Sequence, residues 1–196
     1  MSISTNNRRL FIARHGETVF NKVARMQGQA ELHTPLTWEG CVQAREMGRA
    51  LAEYLGPDVR PQLWSSTAGR ALQTIALIAE EINSDWHTTN RDDRLLEIDV
   101  GLWSGRTYAD IAAEIGPIVD VEHKLFSVRP EGGEYYGDVA QRLLHWLREL
   151  PFDQDMLIIC HGMTARVLRG VLLGLDPMAQ FGAPIAPSLS QGSLVM

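Results

Sequence analysis

Cysteine is scarce, with only Cys41 and Cys160 in 196 residues. Two cysteines do not make the disulfide framework of a small secreted scaffold. Cys160 lies inside an apolar run, which reads as a buried, reduced thiol. Long hydrophobic runs are missing as well. No stretch reaches the ~20 apolar residues of a membrane-spanning helix, and residues 1–9 lack the apolar core of a secretory signal. A cytoplasmic location follows by default. Basic residues are in deficit: 18 Lys and Arg against 24 Asp and Glu give a formal net charge of −6. With no basic cluster or stripe either, neither nucleic acid nor an anionic membrane is an expected partner. Net charge describes no single site, so a local positive pocket stays open.

Several catalytic signatures are absent too. There is no Gly-x-Ser-x-Gly elbow for a Ser–His–Asp hydrolase. There is no P-loop. His-x-x-x-His, Cys-x-x-Cys and Asp-rich loops do not occur, so neither a metal nor another cofactor is expected.

What is present reads as a globular chain, with 45% hydrophobic and 21% charged residues. Its length suits one domain over 1–196 with a sizeable core. Residues 1–8 read as a fraying lead. Apolar runs at 9–14, 62–65 and 156–160 read as strands, the last apolar throughout, as a central strand covered on both faces is. Ser193–Leu194–Val195 is a late strand candidate, and a chain running on past Met196 stays open. Helical spacing runs from Thr37, as N-cap, to Leu55, from Ser65 to about Ile82, from Thr107 to about Ile115, from Asp138 to Leu150 and from Met163 to Leu173. A further short helix is predicted over 118–127. Residues 18–35 read as a long functional loop, and 83–93 as polar turns. Strands alternating with crossover-length helices predict an α/β three-layer sandwich around a mostly parallel sheet. Residues 98–136 carry the weakest strand signal and are expected to form a small helical cap.

Two strands end alike, in Ala13–Arg14–His15–Gly16 and in Cys160–His161–Gly162. If both are central, both imidazoles emerge at the carboxyl edge of one sheet, where open α/β folds place ligands. One such histidine is ordinarily structural; two, with an arginine beside one, are harder to dismiss. A neutral, oriented histidine is a competent nucleophile toward phosphorus, and arginine's planar fork matches phosphate oxygens.

Arg70 falls in the first turn of its helix, against the usual charge preference of that end. It is either a solvated surface arginine, the commoner case on local evidence, or the partner of an anion. Glu97 lies in an apolar segment before the Gly-rich turn 101–105. Burial favours its neutral form and nearby arginines its anion, so acid and base roles both stay open. Asp99, two residues on, is a competing candidate that on a strand would share its face.

Together these residues closely resemble the histidine phosphatase superfamily, in its phosphoglycerate mutase-like branch. Arg14–His15–Gly16–Glu17–Thr18 with Asn21 is similar to the family's R-H-G-E-T-x-x-N. Gln27–Gly28, Pro35–Leu36–Thr37, Gly40 and Gln43–Ala44 follow in family order. So do Ser65–Ser66 with Arg70–Ala71 and Gln73–Thr74, then Leu96–Glu97–Ile98–Asp99 with Gly101–Leu102–Trp103, then Cys160–His161–Gly162. Thr67 stands where the family often has proline, and Tyr135 where it often has serine, which sets a bulky ring near the expected pocket mouth.

The resemblance implies a phosphohistidine mechanism. His15 would be the nucleophile, with Arg14, Arg70 and His161 clamping the phosphoryl oxygens and Glu97 as acid, then base. Asn21, Gln27, Gly28 and Gly162 would complete phosphate and substrate binding. The expected partner is a small phosphorylated metabolite. Mutases of the family carry a longer insertion with several basic residues where this chain has 98–133, containing only Arg106, His123, Lys124 and Arg129. A phosphatase is therefore expected, with a cofactor-dependent phosphoglycerate mutase and a non-catalytic phospholigand-binding protein as alternatives. Trp103, Phe126, Tyr135 and Tyr136 are candidates for a ring-binding wall, though packing is the commoner role for such residues. The oligomeric state is not legible; a homodimer stays open.

Overall fold

The computed structural model describes residues 5–196. Strands β1 (Leu10–Arg14), β2 (Gln62–Ser65), β3 (Asn90–Arg91), β4 (Met156–Cys160) and β5 (Leu194–Val195) form one sheet in the order β3-β2-β4-β1-β5. Every pairing is parallel except that of β5 with β1. Among the described residues six α-helices accompany the sheet: α1 (Val19–Lys22), α2 (Trp38–Leu55), α3 (Gly69–Glu81), α4 (Tyr108–Ile115), α5 (Tyr136–Glu149) and α6 (Gly162–Leu172). This is the expected three-layer α/β sandwich.

Side chains alternate across a strand, so β4 serves two cores. Met156, Ile158 and Cys160 join Val139, Leu143, Trp146 and Leu147 of α5 and Val167 and Leu168 of α6. Leu157 and Ile159 join Met47 and Leu51 of α2 and Ile75 and Ile78 of α3. All five β4 residues are buried. Truncating one, as in Ile158→Ala, costs about 2–5 kcal/mol by the usual cavity penalty.

Local chemistry fixes the helix ends. Thr37 Oγ1 accepts from Gly40 N at 3.0 Å and starts α2, and Gly56 at φ 78° ends it. Thr107 caps α4 in the same way. No helix of the described residues is long and apolar enough to cross a membrane.

Several expectations are corrected. Residues 118–127 are not a helix but a tight turn, closed by a Val119–Phe126 antiparallel bridge. Ile118, Leu125 and Phe126 are all buried from its two arms, which helical spacing does not require. The 18–35 loop contains α1, started by Thr18. The polar stretch 83–93 contains the edge strand β3, two residues long and too short to show a period. Residues 96–100 are irregular, so Glu97 and Asp99 share no strand face. The lead expected over 1–8 falls outside the described residues for 1–4, while Arg8 N closes a turn onto Thr5 O at 2.9 Å. Cys41 and Cys160 are free thiols.

Candidate active site

The parallel register of β1 and β4 pairs Arg14 with Cys160. The residues that follow them, His15 and His161, therefore leave the sheet side by side, with ring centroids 5.1 Å apart. β2 delivers Ser66 to the same edge, its N–H bonded to Ile159 O. The chain turns off β1 hard against α2. A Cβ on Gly16 would stand 2.3 Å from Gly40 O, and one on Gly40 2.1 Å from Glu17 O. Glycine is needed at both positions for this backbone approach.

Hydrogen bonds assign the protons of both rings. His15 Nδ1 lies 2.7 Å from Gly16 O. A carbonyl only accepts, so Nδ1 carries the proton and Nε2 keeps its lone pair. His161 is the opposite tautomer. Its Nδ1 accepts from Arg70 Nε at 3.2 Å, which leaves Nε2–H to donate to Ser66 Oγ at 2.7 Å. Burial first, and then the neighbouring Arg70, hold both imidazoles well below their ordinary pKa, so both are neutral near pH 7.

Arg70 is buried rather than solvated, with 1% of its surface exposed. Its guanidinium donates to His161, to Glu31 O at 2.9 Å and to Gln27 O at 3.1 Å, and to no carboxylate. Burial lowers its pKa to about 10, with Glu97 opposing the shift. Arg14 donates through Nη1 to Leu189 O at 3.0 Å, while its Nε is buried and makes no hydrogen bond. Buried guanidinium groups without an acid partner are donors suited to an incoming anion.

Glu97 meets the N-terminus of α6. Its Oε1 accepts from Ile98 N, Met163 N, Thr164 N and the Thr164 hydroxyl, at 2.9–3.2 Å. Oε2 accepts only from Met163 N, at 3.2 Å. The oxygen with coordination to spare is therefore Oε2.

These groups open onto a cavity of about 550 Å³. Arg14, His15, Arg70, Glu97, Asn21, Gln27, Gly28 and Gly162 line it. His161 does not: it is fully buried behind the wall, with both ring nitrogens taken. Asp99 also stays out, its Oδ1 accepting from Gly101 N. Of the four aromatic candidates only Phe126 reaches the cavity. Trp103 and Tyr136 are core residues, and the Tyr135 hydroxyl donates to Phe126 O at 3.1 Å rather than meeting the pocket mouth.

The cavity also takes residues that motif reasoning missed: Arg25, Tyr108, Lys124, Arg166, Ser188, Ser190 and Gln191. Five cationic side chains thus line it against one carboxylate, in a chain of net charge −6. Nothing local marks Arg25 or Lys124 as site residues. Arg166 lies one helical turn beyond Gly162, the signal that would have found it. Glu134 and Arg142, also missed, brace the backbone around Glu97 from outside the cavity. Among the described residues no group of three or more His, Cys, Asp or Glu side chains is placed to hold a metal ion.

Comparison with known proteins fits this geometry. A family model described as "Histidine phosphatase superfamily (branch 1)" matches residues 10–190. The chain is 32% identical over 178 residues to a glucosyl-3-phosphoglycerate phosphatase of Mycolicibacterium vanbaalenii, covering 86% of this chain and 75% of that one. It is 31% identical over 175 residues to a probable phosphoglycerate mutase, GpmB, of Salmonella paratyphi C, covering 87% and 77%. Among solved structures, a mycobacterial glucosyl-3-phosphoglycerate phosphatase in complex with VO3 superposes with a TM-score of 0.77 at 29% identity, covering 95% of this chain and 90% of that one. Other curated relatives are longer, and the chain spans only 34% of their length.

Proposed function

The chain belongs to the histidine phosphatase superfamily, and from that premise we propose that it hydrolyses a small phosphomonoester through a phosphohistidine at His15, without a metal. The observation that carries the reading is the His15 tautomer. Its Nδ1–H is tied to Gly16 O, so the lone pair of a neutral ring is at Nε2, on the cavity that Arg14 and Arg70 also line.

In the first step His15 Nε2 attacks phosphorus and the bond to the ester oxygen breaks. Glu97, through Oε2, gives that oxygen a proton. Arg14 and Arg70 take the charge on the equatorial phosphoryl oxygens. In the second step Glu97 removes a proton from water, the water oxygen attacks phosphorus, and the P–N bond breaks. Inorganic phosphate leaves, with His15 neutral and Glu97 protonated for the next cycle. His161 acts here through Arg70, whose Nε it fixes, rather than by touching phosphate.

Hydrolysis is favoured over mutase transfer by what the 98–133 interval does with its cations. Arg106 pairs with Glu114, Arg129 with Asp138 and His123 with Asp120. Of that interval's basic residues only Lys124 lines the cavity. A second phosphate is therefore weakly held from this side. The likeness to a probable phosphoglycerate mutase keeps the mutase as the second reading.

The test uses purified protein with chelator present. It should release phosphate from p-nitrophenyl phosphate and accumulate acid-labile phosphoprotein, and His15→Ala should lose both. Intact turnover in that variant would sink the mechanism. 3-Phosphoglycerate should give glycerate and free phosphate; 2-phosphoglycerate as main product would establish the mutase. Inertness across a broad panel of phosphomonoesters would leave a phospholigand-binding protein.

A further inference from the structure

We propose that Arg142 and Glu134 are positioning residues that set the reach of Glu97 into the cavity; this rests on the acid and base role given to Glu97 above. The segment 96–100 is neither helix nor strand, so no ladder holds its carbonyls. Side chains do it instead. Arg142 donates from Nη1 to Arg94 O, and from Nη2 to Leu96 O at 2.9 Å and Glu97 O at 3.2 Å.

The same guanidinium grips Glu134, with Nε to Oε1 at 2.9 Å and Nη2 to Oε2 at 3.1 Å. Glu134 Oε2 also accepts from Asp99 N at 3.0 Å and from Gln29 Nε2 at 3.1 Å. Gln29 Nε2 in turn reaches Glu97 O at 3.1 Å. The main chain of Glu97 is thus enclosed by one ion pair and one amide.

The brace is anchored at both ends. Arg142 rides on α5, whose Val139, Leu143 and Trp146 are fully buried. Glu134 follows Gly133, where a Cβ would stand 2.4 Å from Asp99 O, so its loop lies directly against the Glu97 loop. Glu134 N closes the contact onto Asp99 O at 2.9 Å. Glu97 is therefore held between two helices, its carboxylate on the N-terminus of α6 and its carbonyl on α5. Neither Arg142 nor Glu134 lines the cavity. Their effect on chemistry passes through the placement of one carboxylate.

A positioning role differs from plain structural support in its leaving-group dependence. An alkyl phosphate needs a well-placed acid to protonate its oxygen; p-nitrophenolate leaves with little help. Arg142→Lys keeps the charge opposite Glu134 but not the planar fork. It should lower kcat/KM, which reports phosphoryl transfer to His15 and not the hydrolysis step that both esters share, roughly 10–100-fold for glycerol 3-phosphate and less than about 5-fold for p-nitrophenyl phosphate. Gln29→Leu, which removes a single amide and leaves the ion pair, should move the same ratio in the same direction. Glu97→Gln sets the reference: it should show the steepest leaving-group dependence, and adding Arg142→Lys to it should cost little more. Equal losses on both esters, or full additivity with Glu97→Gln, would overturn the positioning role. If Glu97→Gln itself left the ratio unchanged, the acid role of Glu97 would be the part that fails.

Discussion

His15 and His161 stand edge to face, their rings 62° apart in plane, with the proton on Nδ1 of the first and on Nε2 of the second. Gly16 O sets one tautomer, and Arg70 with Ser66 sets the other. The pair has a consequence for stability. Both rings are held neutral below their ordinary pKa of 6.5. The unfolded chain takes up these protons first as pH falls, so folding stability declines below about 6.5 toward the native values. Each histidine contributes a slope of up to roughly 1.4 kcal/mol per pH unit in that window. Urea denaturation between pH 5 and 8 should show the decline, and His161→Gln should flatten it by one histidine's share. Equal slopes for the two proteins would refute the assignment.

The same shift bears on turnover. The proposed mechanism uses a neutral His15 as nucleophile, and its depressed pKa keeps it neutral through mildly acid pH. The kcat/KM of the phosphatase reaction should therefore show no inflection near 6.5 from this residue. A tenfold loss per pH unit setting in at 6.5 would place the essential imidazole at its ordinary pKa and contradict the buried geometry.

Arg70→Lys tests the fork. Lysine cannot serve His161 Nδ1, Glu31 O and Gln27 O together, and it presents a point charge to the phosphoryl group. The expected loss in kcat/KM on p-nitrophenyl phosphate is about 10²–10³-fold. Stability should fall by about 1–3 kcal/mol, because the buried acceptors lose donors. Steady-state kinetics and a denaturant midpoint read the two effects separately, and a variant within threefold of wild type would show that a point charge suffices.

Gly16→Ala tests the crowding at the turn off β1. The new methyl would meet Gly40 O at 2.3 Å, so the backbone must shift. The cost should be about 1–3 kcal/mol, typical of overpacking. A midpoint unchanged in guanidinium would show that the α2 end yields freely.

Much of this was legible in the residues themselves. β4 is apolar at each position, so its central place could be read directly, and the matching strand ends placed both histidines at one edge. Arg70 shows where local reading runs out: position within a helix says nothing of what covers it, and here the Gln27–Glu31 loop does. The 118–127 turn defeated periodicity because its apolar residues cluster at two ends of a loop. The brace on Glu97 was out of reach for another reason. Arg142 lies 45 residues from Glu97 and meets it only at its backbone oxygen, which leaves no mark on side-chain pattern.

The sheet order has a bearing on synthesis. The strand that carries His15 is made well before both of its neighbours: Leu10 waits for Met156, and Ile12 for Val195. At ~5–20 residues per second, roughly 7–30 s of translation separates β1 from β4. Through that interval Phe11, Ile12 and Ala13 have no sheet to join, and their apolar edge is open to misfolding or to a chaperone. Residues so far apart in sequence also make for slow folding. His15 is thus made long before its surroundings, so a nascent chain stopped before residue 156 would carry His15 without His161 beside it.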